Sequence, residues 1–256
     1  LKKLQWQDKK SGQTRIFQKE QADDLVRRLS GKTGVVAEVS RETGRELPPL
    51  AYDLTELQRD ANRRYNYSAK QTLNTMQRLY ETHKLVTYPR TDSRYITEDI
   101  VPTLKERLKS IAVGPYAGWA GELLRNPLRT SGRLVDNSRV SDHHAILPTE
   151  QYVDLGSLNR EERNVYDLIL RRFIAVLSSP FEYERTAVRL EIQGERFTAK
   201  GKTVRSMGWR KAYQDQPEPE EEGDGDPDLD REQVLPAVRK GDVLKIQSVR
   251  AVTGKT

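Results

Sequence analysis

Residues 159–192 read NREERNVYDLILRRFIAVLSSPFEYERTAVRLEI, and the period of their apolar side chains changes once, at Pro180. Before it, Val165, Ile169, Phe173 and Val176 recur at the three- and four-residue spacing of one helix face, and Asn159 stands where a helix of about 159–177 would be capped. After it, Val188, Leu190 and Ile192 alternate with Arg189 and Glu191, which is the pattern of a half-buried strand. The rest of the chain can be sorted by the same two periods.

Upstream of this switch the helical period dominates as far back as Pro48 and Pro49. Thr55 with Gln58, and Ser68 with Gln71, match the spacing of a capping box, so two helices are expected to begin there. Leu73, Met76 and Leu79 or Tyr80 form the stripe of the second, which should end near His83. Ile100, Leu104, Leu108 and Ile111 mark a third helix. Residues 112–142, rich in Gly, Pro, Asn, Ser and Arg, read as a long surface loop or irregular element. Before the prolines the texture is β with one covering helix. TRIF at 14–17 suggests a short strand, Ala22, Leu25, Val26 and Leu29 a helix closed by Gly31, and GVVAEVS from Gly34 a second strand. Downstream of the switch, Arg196 to Ala199 and Asp242 to Val249 add more β. The expected fold is therefore α+β: a β-rich domain built from both chain ends (1–51 and 181–256), with a mainly helical domain (52–180) inserted into it.

Composition narrows the function. Apolar residues are 35% and charged residues 32%, with no stretch near the roughly 20 apolar residues of a membrane span, so no membrane partner is expected. The absence of cysteine excludes disulfides, thiolate zinc sites and cysteine nucleophiles, and fits a cytoplasmic setting. The chain opens on Leu1, Lys2 and Lys3 without an initiator Met or a signal-peptide pattern, as a piece of a longer chain would. Residues 215–232 hold ten acids and one Arg, a net of −9; against +6 for the whole chain, the remainder carries +15. That run has Pro and Gly and almost nothing apolar, and is expected to be a flexible loop. The basic remainder favours a polyanion, nucleic acid in particular.

Two segments could carry chemistry. In LVTYPRTDSRYI, 85–96, a short apolar run delivers Tyr88, and Arg90, Thr91, Asp92, Ser93 and Arg94 follow within six positions. A tyrosine can act as a covalent nucleophile, and two guanidinium groups beside it can bind a phosphate and stabilise charge on phosphorus. Taken alone, the segment also suits a surface turn with a tyrosine packed on it. In SDHHAILPT, 141–149, His143 and His144 are adjacent, so on helix or strand they point apart and make a poor chelating pair. One of them donating to a phosphate oxygen, with the other structural, is the better use; two histidines in an exposed turn is the bland one.

YPRTDSRYI and SDHHAILPT together closely resemble the tyrosine and histidine motifs of the type IA DNA topoisomerases, of the bacterial topoisomerase III branch in particular. LPPLAYDLTELQRDAN, SAKQTLNTMQRLYE and TVRSMGWRKAY extend the resemblance, in the family's order, from about Arg45 to the C-terminus. It implies that Tyr88 attacks a phosphodiester of single-stranded DNA and becomes 5′-phosphotyrosyl-linked, that Arg90 contacts the scissile phosphate, and that His143 is the active-site histidine. Thr91, Asp92, Ser93, Arg94 and His144 fall to supporting or DNA-binding roles, His144 because other branches carry a glutamate there. The implied activity is ATP-independent strand passage, relaxing or decatenating DNA, at the nucleoid. The family's Toprim domain supplies the carboxylates that hold Mg2+; neither Toprim nor the DNA-binding arch is found in this chain, so magnesium and both domains are implied for the complete enzyme, and this piece alone is expected to be inactive. Asp224, Asp226, Asp228 and Asp230 in the acidic run make a poor magnesium site, since a Pro/Gly-rich linker has no fixed cage.

Tyrosine recombinases place their arginines and histidine before the tyrosine, and relaxases use a His-x-His metal pair; here Tyr88 precedes two adjacent histidines. The remaining alternative is a non-catalytic single-stranded DNA-binding module, for which the basic surface would suffice.

Overall fold

The structure is a computed structural model that describes residues 4–215 and 234–252, so the acidic run beyond Asp215, with Asp224, Asp226, Asp228 and Asp230, lies outside the described residues. The chain divides into two compact units.

The first unit, formed by residues 4–45, 182–205 and 234–252, is a five-stranded sheet with one helix. Its elements are β1 (Gln5–Gln7), α1 (Lys19–Leu29), β2 (Thr33–Glu46), β3 (Phe181–Ile192), β4 (Glu195–Ser206) and β5 (Val243–Lys245), in sheet order β1-β4-β3-β2-β5. β3 and β4 form a hairpin whose two turn residues, Gln193 and Gly194, both have positive φ, matching the right-handed twist of the strands they join. β1 runs antiparallel to β4 with Trp6 opposite Phe197, and β2 antiparallel to β5 with Gly34 opposite Leu244. The alternation in β3 puts Val188, Leu190 and Ile192 into a core with Leu29, Val36 and Phe197. Gly44 is required where it stands, because a Cβ there would sit 2.2 Å from the Tyr183 ring. The strand expected at 14–17 does not form: TRIF carries no regular structure and Phe17 is 81% exposed, so the four residues have no apolar face to bury. The strand of this region is β1 instead, held by the Trp6 indole donating to Glu195 at 3.0 Å.

The second unit, residues 46–181 with 206–215, is helical. It contains α2 (Leu54–Tyr65), α3 (Ala69–Glu81), α4 (Leu104–Ser110), α5 (Ala117–Leu124) and α6 (Arg160–Leu177). Asn159 and Glu162 close the capping box of α6 reciprocally. Ser68 caps α3 through Gln71 N–H, but the Gln71 side chain reaches Glu161 rather than back to Ser68. α2 starts one position before Thr55, with Asp53 as its cap, because the Asp53 carboxylate takes the Glu56 N–H at 2.7 Å. The third helix opens as a 3₁₀ segment, Glu98–Thr103, whose Pro102 lacks the N–H that an α-helix would use. Residues 112–142 are not all loop: α5 lies within them, packed against α4 and α6.

The boundaries expected for the β-rich domain are corrected at two places. Residues 46–51 belong to the helical unit, where Ala51 is buried and the Leu50 carbonyl accepts from Arg172. Residues 206–215 return to it as well. There a 3₁₀ segment, Gly208–Tyr213, packs on α6, with Trp209 N–H bonded to the Ser179 carbonyl and its indole to the Glu46 carbonyl. Gly208 has φ +45, and a Cβ on it would lie 2.1 Å from the Pro180 oxygen, so the motif needs glycine at that point.

A candidate phosphate-handling site around Tyr88

α6 carries the support for this site. Arg172 and Asp60 form a pair at 2.8 Å deep in the helical unit, and the guanidinium lies 3.9 Å over the Tyr52 ring, whose hydroxyl donates to the same carboxylate. Tyr52 in turn pairs by an isolated bridge with Ile146, the Ile146 N–H donating to the Tyr52 carbonyl. The apolar run Ala145–Leu147 is thereby fixed at one edge. At its other edge, Thr87 N–H donates to the Leu147 carbonyl, the Thr87 hydroxyl bonds Ala145 O and Leu147 N–H, and Val86 bridges to Pro148. Segments that the sequence supplies 58 to 62 residues apart are thus laced through the backbone and the Thr87 hydroxyl.

That lacing brings Tyr88 and His143 together, with ring centroids 4.1 Å apart and planes inclined by 32°. Tyr80, at the end of α3, meets the Tyr88 ring edge-on at 5.7 Å. Tyr88 is half-buried while His143 is exposed. Both line an open cleft of about 310 Å³, with Thr97, Asp99, Ile100, Val140, Asp142 and His144.

The other expected residues divide by what they touch. Thr91 is buried and its hydroxyl donates to the His143 carbonyl at 2.9 Å, a direct tie between the two motifs. Ser93 is also buried, its hydroxyl bonding the Arg139 carbonyl. Arg94 donates to the Ala51 carbonyl. These three hold backbone. Arg90 and Asp92, by contrast, are exposed and make no hydrogen bond or ion pair among the described residues. An exposed guanidinium two positions along the chain from Tyr88, without a partner among the described residues, is available to an anion. His144 donates Nδ1–H to the Ala145 carbonyl at 2.7 Å, which fixes its ring. Burial lowers its pKa below the ordinary imidazole value, leaving it neutral at pH 7.

Tyr80, Thr87, Asp99 and the Tyr52–Asp60–Arg172 set escaped the sequence reading. Only Tyr80 gave a signal, as an alternative member of the α3 stripe; the others are fixed by contacts such as Thr87 with Ala145, 58 positions apart, and Asp60 with Arg172, 112 apart. Among the described residues, no group of three or more His, Asp or Glu is arranged to hold a metal ion. No helix of the described residues is long and apolar enough to cross a membrane.

Residues 1–256 match the family model described as DNA topoisomerase. The chain belongs to the type IA DNA topoisomerase family. It is 50% identical over 253 residues to DNA topoisomerase 3 of Bacillus subtilis and 49% identical to that of Bacillus licheniformis, covering 99% of this chain and 34% of each relative. It therefore spans about a third of the length of those topoisomerases. Full-length topoisomerase I from Thermotoga maritima has a similar fold, with a TM-score of 0.61 at 22% identity over 93% of this chain and 36% of that one.

Proposed function

We propose that this chain is the gate portion of a type IA DNA topoisomerase, with Tyr88 as its nucleophile. The observation that carries the reading is the pairing of Tyr88 with His143 at 4.1 Å, produced by two motifs 55 positions apart, with the uncommitted Arg90 two positions along the chain from Tyr88. In the proposed step the Tyr88 phenol oxygen attacks a phosphorus of single-stranded DNA. A P–O bond to tyrosine forms and the P–O3′ bond breaks; the phenol releases its proton to solvent, and the 3′ oxygen takes one up from solvent to leave as a hydroxyl. Arg90 neutralises charge on the non-bridging oxygens as it builds, and His143 adds a second donor. Thr91, by fixing the His143 backbone, sets that donor's position. The reverse attack by the 3′ hydroxyl restores the strand, so no ATP is consumed and the bond energy is kept in the phosphotyrosine.

The β-rich unit is assigned the hinge, which must bend while the helical unit holds one DNA end. Single-stranded DNA is the proposed substrate, and the Toprim and arch domains of the parent enzyme, with magnesium on Toprim, are the proposed partners. The setting is the cytoplasm, at the nucleoid, where that substrate lies.

The test is adduct trapping. The parent enzyme that contains this chain should give a denaturant-stable protein–oligonucleotide adduct, mapped to Tyr88, and Tyr88→Phe should abolish it while DNA binding persists. This chain alone should not relax supercoiled plasmid. An adduct in the Tyr88→Phe enzyme, or relaxation by the chain alone, would overturn the reading.

A further inference from the structure

The cleft beside Tyr88 has a lining that phosphate binding leaves unexplained. The chain carries 44 Lys and Arg, and none of those among the described residues lines it. Its charged groups are the carboxylates of Asp99 and Asp142, both exposed and without a hydrogen bond or ion pair among the described residues. Its third polar group of note is His144. Because a carbonyl only accepts, the 2.7 Å contact with Ala145 puts the proton of the neutral ring on Nδ1 and leaves Nε2 with a lone pair. Two carboxylates and the His144 ring thus line one space together with the Thr97 and Ser141 hydroxyls, and Ile100 and Val140 supply apolar surface. Two carboxylates repel a phosphate. A flat, uncharged group with an edge of N–H donors suits them.

We propose, resting on the reading of Tyr88 above, that this cleft takes the base of the nucleotide whose 5′ phosphate is joined to Tyr88, and that it favours bases with an exocyclic amino group over thymine. Cytosine and adenine present an N–H₂ group, and guanine an N–H beside an N–H₂; each can donate to a carboxylate. Thymine offers one ring N–H between two carbonyl oxygens, which a carboxylate repels. The division of labour follows from charge: Arg90 and His143 receive the anionic phosphate, and the part of the cleft around Asp99, Asp142 and His144 receives the neutral base.

The test titrates this chain with the four deoxynucleoside 5′-monophosphates and follows its NMR signals. All four should shift Tyr88 and His143. The three with amino groups should also shift Asp99, Ile100 and His144, and bind about three- to tenfold more tightly than thymidine 5′-monophosphate. Asp99→Asn gains an N–H donor and should raise thymidine binding toward the others, with signals outside the cleft unchanged. Equal affinity for all four, or an Asp99→Asn protein with the wild-type preference, would overturn the base pocket while leaving the Tyr88 reading intact. Failure of all four, and of a 5′-phosphorylated tetranucleotide, to shift Tyr88 or His143 would overturn both.

Discussion

The two units of the chain use their charged residues differently. In the helical unit Arg107, Arg171, Arg172 and Glu162 carry side chains that are about nine-tenths buried, and each is tied to a partner: Arg107 to the Pro148 carbonyl and Glu150, Arg171 to Asp167 and Asp215, Arg172 to Asp60, Glu162 to Arg78. In the β-rich unit the pairs Lys9–Glu191, Arg28–Asp24, Arg189–Glu38 and Arg205–Glu184 lie at the surface, and the core is aliphatic and aromatic. Buried charge is expensive unless it is paired, and a paired set accepts few geometries. The unit proposed to position Tyr88 and His143 has the polar ties, whereas a sheet proposed to bend relies on apolar burial, which is not directional.

The comparison is broken most severely at Asp60. Asp60→Ala leaves the Arg172 guanidinium buried without its carboxylate and removes the acceptor of the Tyr52 hydroxyl, so the helical unit should lose about 3–5 kcal/mol in a denaturant titration. Loss of under 1 kcal/mol would mean that this pair is not what fixes Tyr52 and the Ala145–Leu147 run.

Next in size are the losses at the chemistry itself, read in the parent enzyme. Arg90→Ala should lower cleavage of single-stranded DNA about 100-fold or more with binding largely kept, because Arg90 supports nothing else in the fold. His143→Ala should cost about 10- to 100-fold. A larger loss from His144→Ala than from His143→Ala would reverse the assignment of the pair, since the ring stacked with Tyr88 is that of His143.

Local pattern carried much of this into the sequence. The switch at Pro180, the Asn159 capping box and the β3 alternation are properties of neighbouring residues, and each has a period or a spacing to be read. Tyr88, Arg90 and His143 stood in motifs. What local pattern could not carry was partnership at a distance. Thr91 looked like one more polar residue in a crowded turn, and its role depends on a carbonyl 52 positions away. α5, AGWAGELL, has two glycines in eight residues, so its own propensity is poor; the helix exists because Ala120 is buried and Trp119 packs in the core beside Arg171. The return of residues 206–215 to the helical unit is a tertiary event too, decided by Trp209, Gly208 and the end of α6.

Acid sharpens the contrast with a smaller effect. Burial pushes the Glu162 carboxyl up, but the Asn159 N–H, Arg78 and His83 outweigh it and hold its pKa below the usual carboxylate value. A depressed pKa contributes stability that is fully present above the unfolded value of about 4.3 and is lost as pH falls through the folded one. The helical unit should therefore weaken on acidification below about pH 5, and Glu162→Gln should lower stability at pH 7 while flattening that acid slope. An unchanged slope would show that the α6 cap is not a source of acid sensitivity.

The smallest effect is expected in the β-rich unit, at the pair between Arg189 on β3 and Glu38 on β2. Their side chains are 41% and 50% exposed, so each charge is well hydrated before the contact forms, and ordering two long side chains offsets most of the Coulomb gain. Arg189→Ala should change stability by about 0.5 kcal/mol or less, and the effect should fade as salt is raised from about 0.05 to 0.5 M, because an exposed pair is screened once the Debye length approaches its separation. Arg189 also lies between Val188 and Leu190, whose side chains fill the opposite, buried face of the strand, so truncating it leaves that core in place. A loss above about 2 kcal/mol that persists at high salt would show that the sheet depends on a directional charge contact as the helical unit does, and a hinge built on apolar burial alone would then be the wrong description of it.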